Sequence, residues 1–232
     1  MTSTLLIIGR NRREQFRFTL DSIKGKKYQD IQAIYVDDSS TDNIPQITDP
    51  ESDWLRYECL HRPGGYRENP SWAINCGHRF VSTDICIEQS AEVCHLTDCV
   101  TPLVNICRPS VVAIARVFCG SVGDYAIAAQ RVADGVLHAV PDYEPEHIES
   151  TDGRINPPVV EDGFELFTGQ SRPMPFFFMG AIHRSDFEAV GGYNENLPNR
   201  NDQDLADRLI ARGTRFVFSG SALAFHLHHG KT

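Results

Sequence analysis

The run Asp37-Asp38-Ser39-Ser40-Thr41-Asp42 packs three carboxylates and three hydroxyls into six residues, directly after the apolar stretch Ile31-Gln32-Ala33-Ile34-Tyr35-Val36. An apolar, β-branched stretch that stops at such a cluster has the pattern of a buried parallel strand whose carboxyl end opens into a polar loop. Ligands of open α/β sheets bind just beyond those carboxyl ends. Adjacent carboxylates there can accept hydrogen bonds from a nucleobase edge or from ribose hydroxyls. Ser39, Ser40 and Asp42 also suit an Asx or ST turn that caps the next helix. Spacing favours the turn for Ser40 to Asn43 and leaves Asp37 and Asp38 open. Three more groups could do chemistry. Glu88-Gln89-Ser90-Ala91-Glu92 follows apolar Ile85-Cys86-Ile87, a second place where a strand discharges acids. Asp202 and Asp204 begin an amphipathic stretch, and His226, His228 and His229 crowd into four residues.

Positioning these groups takes alternating strands and helices. Thr4–Ile8 is a short buried strand ending at Gly9-Arg10-Asn11-Arg12. A helix is expected over Glu14–Ile23, with Phe16, Leu20 and Ile23 as its apolar stripe and Gly25 and the following lysines as its stop. The strand through Val36 then completes a βαβ unit, for which a right-handed crossover is expected. Ile44–Ile47 suits a short helix, and Trp54–Leu60 alternates like a third strand. Asn69 before Pro70 suits a helix N-cap with proline at the first position; that helix presents Trp72, Ile74 and Phe80 to the sheet or to a ligand. Further strands are expected from Asp84 to Ile87, over 111–119 and over 215–218, with a helix from Asp124 to Val140. Residues 141–175 form a connection longer than compact domains usually carry, as lids and binding loops do. A short helix over Asp186–Val190 stops at Gly191-Gly192. Asp202–Arg212 is an amphipathic helix with Leu205 and Leu209 inward and Gly213 as its C-cap.

At 232 residues the chain suits one large domain, and its net charge of −9 argues against general nucleic-acid binding. An anionic ligand would therefore need a local device, a metal ion or an arginine. The seven cysteines include no CxxC pair, which predicts reduced, mostly buried thiols and a cytoplasmic protein. No apolar run approaches the ~20 residues needed to span a bilayer, and no signal peptide is expected.

Several of these pieces fall in the order of one family. The chain resembles the family 2 glycosyltransferases, which have the GT-A fold and use nucleotide-activated sugars. Leu6-Ile7-Ile8-Gly9-Arg10-Asn11-Arg12 and Thr19-Leu20-Asp21-Ser22 look like the family's first strand and helix. Val36-Asp37-Asp38-Ser39-Ser40-Thr41-Asp42 looks like its "VDDGSTD" signature, and Asn69-Pro70 to Asn75-Cys76-Gly77 is similar to its "GxxxARNxG" helix. Gly191-Gly192-Tyr193-Asn194-Glu195 and Asp202-Gln203-Asp204-Leu205-Ala206-Asp207-Arg208-Leu209 resemble its "GGFDE…EDxDLxxRL" pattern. The resemblance covers residues 4–95 and 176–229. The usual DxD is here Ser90-Ala91-Glu92, the usual Glu-Asp is Asn201-Asp202, and the usual proline-threonine-aromatic is Ile8-Gly9-Arg10.

The resemblance implies a single GT-A domain with a mixed, mostly parallel sheet flanked by helices. Residues of about 1–100 would bind the nucleotide sugar and those of about 101–232 the acceptor, with acceptor choice in 120–178. It implies a donor site of Gly9, Arg10, Asp37, Asp38, Asn69, Asn75 and Ser90, a UDP-sugar as the leading donor, and a glycan or other hydroxyl-bearing acceptor. Glu92, His226 and His229 would hold a divalent cation, Mn²⁺ or Mg²⁺, to neutralise the departing diphosphate. Oxygen ligands suit either ion and imidazoles favour Mn²⁺. Asp202 would be the general base of an inverting displacement; a helix-capping or first-turn acid is its alternative role. His228 suits a solvated tail, His95 a satisfied core histidine, and Arg208 an ion pair within its own helix. Arg10 or Arg67 could contact phosphate in place of the missing aspartate. The competing readings are a degenerate GT-A domain that binds without transfer, a sugar nucleotidyltransferase and a metal-dependent hydrolase. The second lacks a triphosphate loop and the third lacks acids among its histidines.

Overall fold

β1 (Ser3–Gly9), β2 (Ile31–Asp38) and β4 (Ile85–Ser90) are near-continuous apolar runs, and the fold covers both their faces, as parallel strands require. Alternation along β1 sends Leu5 and Ile7 to one side and Leu6 to the other. The first side is packed by Phe16, Leu20 and Ile23 of α1 (Arg13–Lys26) and by Val100 and Leu103 of α3 (Val100–Ile106). The second is packed by Ile74 of α2 (Ser71–His78), Phe187 of α5 (Arg184–Ala189), and Leu205 and Leu209 of α6 (Asn201–Ala211). Each such fully buried side chain contributes about 1.5–3 kcal/mol.

The remaining elements are β3 (Leu55–Leu60), β5 (Val93–His95), β6 (Val111–Gly120), α4 (Val122–Ala133), β7 (Val159–Glu161), β8 (Phe164–Leu166), β9 (Met179–His183) and β10 (Arg215–Leu227). The computed structural model describes residues 3–28, 31–42, 54–61, 69–142, 144, 159–161, 164–166, 178–197 and 201–229. The short helix expected at Ile44–Ile47, Arg67 and most of the 141–175 connection lie outside them. One continuous sheet has the order β3-β2-β1-β4-β9-β6-β10-β5, with β8 paired to β6 and β7 to β8. β1, β2, β3 and β4 run parallel, as do β6 and β10; β9 lies antiparallel between β4 and β6, and β5 antiparallel to β10. Among the described residues no helix is long and apolar enough to cross a membrane. None of the seven cysteines, all among the described residues, is in a disulfide, and only Cys59 is exposed.

Pro70 rather than Asn69 is the N-cap of α2, and α5 begins at Arg184 rather than Asp186; three further elements differ from the sequence expectation. α1 runs through Gly25 and stops at Lys27, whose left-handed φ of 52° closes the helix. The buried stripe outweighs the cost of about 1 kcal/mol for one glycine. α4 begins two residues early, because Ser121 and Asp124 form a capping box, and it ends at Ala133 rather than Val140. β10 is thirteen residues long, where only 215–218 looked extended. Its register with β6 shifts between Ser219 and Leu223, so Gly220-Ser221-Ala222 form a bulge inside one strand. A Cβ on Gly220 would lie 2.1 Å from the Val140 carbonyl oxygen, so only glycine fits there.

Candidate functional site

Strand registers bring the chemistry together. Gly9 pairs with Asp37 and Ile8 with Ser90, so the carboxyl ends of β1, β2 and β4 share one edge. His226 pairs with Val93, which carries the end of β10 to the turn holding Glu92. These ends, with α2 and the start of α6, enclose a cleft of about 310 Å³. Gly9, Arg10, Arg12, Asp38, Ser90, Glu92 and Asp202 line it, as do Glu88, Phe178 and Tyr193.

The acidic loop divides its labour. Asp37 accepts the Ser40 N–H through Oδ1 at 2.7 Å and the Tyr57 hydroxyl through Oδ2. Asp38, its neighbour, lines the cleft. The Asx turn expected at Ser40 is present, but its cap goes elsewhere: Asp42 Oδ2 accepts the Arg13 N–H at 2.9 Å, at the head of α1. Asn11, at φ 50°, donates its N–H to Ser40 Oγ and accepts the Thr41 N–H at 2.8 Å, tying the two loops together. Gly9 fits because a Cβ there would lie 2.3 Å from Tyr35 Oη.

Glu92, 8% exposed, sits among groups able to carry positive charge. Its Oε1 lies 3.0 Å from His229 Nε2, 3.5 Å from His226 Nε2 and 3.7 Å from Arg12 Nε. Burial alone would push the Glu92 carboxyl up, but hydrogen bonds from His226 and His229 outweigh it and hold it well below the usual range. One ligand atom from each of Glu92, His226 and His229 lies within 4.8 Å of the others, a spacing that could hold a metal ion. Arg12 reaches the same group from the loop between β1 and α1, with Nη2 donating to His229 Nδ1 at 2.8 Å.

The opposite wall is scaffolded by amides. Asn75 donates to the Tyr193 carbonyl and accepts the Tyr193 N–H, both at 2.9 Å. Asn69 donates to the carbonyls of Glu195 and Leu197 and accepts from Ser71 N and Asn201 Nδ2. Tyr193, so held, donates its hydroxyl to Glu88 Oε2 at 2.6 Å, and His78 Nε2 lies 2.7 Å from Glu88 Oε1. Burial, with the charges of Glu88 and Asp202 adding to it, keeps the Tyr193 phenol protonated.

Residues 4–190 match the description of glycosyl transferase family 2. The chain belongs to glycosyltransferase family 2. No curated protein matches it. Among solved structures it is similar to the mannosyltransferase PcManGT from Pyrobaculum calidifontis, in complex with GDP-Man and Mn²⁺, at TM-score 0.59 and 16% identity over 99% of this chain and 57% of that one. GalNAc-T7 with UDP, GalNAc and Mn²⁺ follows at 0.64 and 14%, over 99% and 44%. S. aureus TarS 1–349 with UDP-GlcNAc matches at 0.64 and 13%, over 100% and 60%. The chain thus spans about half the length of these structures, and the likeness establishes the GT-A fold.

Within this family member, the predicted residues separate by position. Gly9, Arg10, Asp38, Ser90, Glu92 and Asp202 line the cleft, and His226 and His229 adjoin it through Glu92. Asp37, Asn69 and Asn75 are not among its lining residues; their side chains are engaged in the loops that shape it. His228 is exposed and outside the metal-ligating group, while Arg208 pairs with Asp204 at 2.6 Å on α6. His95 is a core histidine between Tyr28 Oη at 2.6 Å and Gln89 Oε1 at 2.7 Å, and burial pushes its pKa down to about 3. Sequence reasoning gave no role to Arg12, Glu88 or Tyr193. The available signal for Glu88 was a carboxylate directly adjoining the apolar run Ile85-Cys86-Ile87.

Proposed function

We propose that the chain transfers a sugar from a nucleotide-diphosphate sugar, most simply a UDP-sugar, to the hydroxyl of a glycan or other acceptor, with inversion. The observation that carries this reading is one cleft lined by Asp38, Glu92 and Asp202, with His226 and His229 grouped on Glu92. Asp38 and the ends of β1 and β2 suit a base and ribose, with Asp37 holding the loop. Arg10 and Arg12 supply positive charge for the diphosphate. Glu92, His226 and His229 suit a divalent cation, and the two imidazoles favour Mn²⁺ over Mg²⁺. When bound, such an ion supplies Lewis-acid neutralisation of the leaving diphosphate.

Asp202 accepts the proton of the acceptor hydroxyl. As that O–H bond breaks, the oxygen attacks the anomeric carbon and the bond to the diphosphate opens on the opposite face. A single base and a single displacement give inversion. Tyr193 and Glu88 keep the wall beside Asp202 closed and ordered. Residues of about 1–100 serve the donor and those of about 101–232 the acceptor, and seven cysteines outside any disulfide suit a reducing compartment such as the cytoplasm.

Calorimetric titration of UDP, GDP and TDP, with and without Mn²⁺, tests the donor site on wild type and Glu92→Ala. Metal-dependent binding of one nucleotide, lost in the variant, is the expected result. Failure of every nucleotide under every condition overturns the donor assignment. A domain that binds without transfer is the second reading, favoured by Glu92 standing alone where the family usually has two acids. Nucleotide binding by wild type with neither transfer nor hydrolysis of any donor would select it.

A further inference from the structure

We propose that Arg12 is an internal latch on the Glu92–His226–His229 group. It holds His229 in a state unable to ligate a metal, and once released it is available to the diphosphate of the donor. This inference rests on the metal-dependent reading above.

The argument begins with hydrogen-bond inventory. A guanidinium has donors and no acceptor. Arg12 Nη2 lies 2.8 Å from His229 Nδ1, so Nδ1 must be accepting. The one proton of the neutral ring therefore sits on Nε2, where it points at Glu92 Oε1, 3.0 Å away. A metal ligand needs a bare ring nitrogen. His229 has none to offer: Nε2 carries the proton and Nδ1 is covered by Arg12. Moving the proton to Nδ1 would set an N–H against the guanidinium N–H, donor against donor. Either nitrogen becomes available only when Arg12 leaves, and the ring neither gains nor loses a proton in the change.

Charge points the same way. The usual second acid of this turn is Ser90, so Glu92 is the one carboxylate in the group. One carboxylate can balance the Arg12 guanidinium, 3.7 Å away, or an incoming cation, with little left for both. The stem of Arg12 does not travel. Its neighbour Asn11 is held at φ 50° by Ser40 and Thr41, so only the guanidinium can swing. The side-chain contacts it keeps within its own loop are long, 3.1 Å to the Asn11 carbonyl and 3.3 Å to that of Arg10. Arg12 lines the cleft already, so a released guanidinium remains inside it, and its planar fork matches two phosphate oxygens.

The test is calorimetric titration of nucleotide-free protein with Mn²⁺, on wild type and Arg12→Met. The variant is expected to bind Mn²⁺ about tenfold or more tightly, the size of one charge-assisted hydrogen bond removed from competition. Under saturating Mn²⁺ it is expected to bind UDP about tenfold more weakly. A second measurement needs no variant. Long-range ¹H–¹⁵N correlation of the histidine rings in metal-free wild type should show His229 protonated at Nε2, moving to Nδ1 on addition of Zn²⁺. Equal or weaker Mn²⁺ binding by Arg12→Met, or an Nδ1–H ring in the metal-free protein, overturns the latch while leaving the metal site standing. Unchanged UDP affinity overturns the diphosphate role. If neither protein binds Mn²⁺ at all, the metal-dependent reading falls, and the latch falls with it.

Discussion

Glu88, inside β4, and Glu92, in the turn after it, sit four residues apart and line the same cleft, yet their surroundings are opposite. Glu92 is surrounded by Arg12, His226 and His229, which are cations or can become ligands, and two of them arrive from the far end of the sequence. Glu88 is held by donors that are themselves locked. Tyr193 is clamped through its backbone by Asn75, and the His78 ring stacks on Phe187 at 3.5 Å between centroids. One carboxylate sits among partners that can be exchanged, as a binding site needs. The other is tied into the wall. A buried acid inside an active cleft is therefore not by itself a reacting group; its partners decide.

Substitutions can break or sharpen that contrast. The largest effect is expected for Asp202→Asn, at a residue that lines the cleft near Tyr193 and is the proposed base. Steady-state transfer should fall by about 10²–10⁴-fold, the usual worth of a general base, while calorimetry shows UDP and Mn²⁺ binding retained. Retained transfer would move the base elsewhere. Glu88→Ala comes next. It leaves the buried Tyr193 hydroxyl and the His78 ring nitrogen without their acceptor, so urea unfolding should show a loss of about 1–3 kcal/mol, with Mn²⁺ affinity little changed. Glu92→Gln should show the converse, loss of Mn²⁺ binding with a smaller change in unfolding free energy. Should the two variants behave alike, the division between wall and site is wrong.

Gly9→Ala tests the strand end between them. The added Cβ would collide with Tyr35 Oη, and the expected cost is about 1–3 kcal/mol. The added Cβ would also lie 2.6 Å from Ala91 Cβ, so Tyr35→Phe in the same chain should recover only the part of the loss due to the hydroxyl. The smallest effect is in acid. Glu92 has a folded pKa below the ordinary glutamate value, so its contribution to stability is full above about pH 4.3 and is lost as pH falls below it. Thermal melts of metal-free protein below that pH should slope less steeply for Glu92→Gln than for wild type.

Much of this was legible along the chain. The apolar runs that became β1, β2 and β4, and the acids at their ends, are local features, because a buried parallel strand must be apolar throughout and its ligand edge must be polar. The stripe and stop of α6 are local too, and they placed Asp202 at its head. Gly25 misled because one unfavourable residue was outweighed by packing it does not itself make. The extended pattern of 215–218 stops before Gly220, and only the pairing of 223–227 with β6 shows that the strand resumes beyond the bulge.

What the sequence determined by itself is thus the fold family, the opening βαβ unit, the helix that carries Asp202, and most of the residue types of the proposed donor site. Tertiary structure alone decided three matters: that Asp38 rather than Asp37 faces the cleft, that Glu88 belongs to the wall, and that Arg12 meets His229. Each depends on strand register and on pairing between residues far apart in the chain. A one-residue change of register reverses which face a side chain occupies, and no local pattern encodes the partner it will find there.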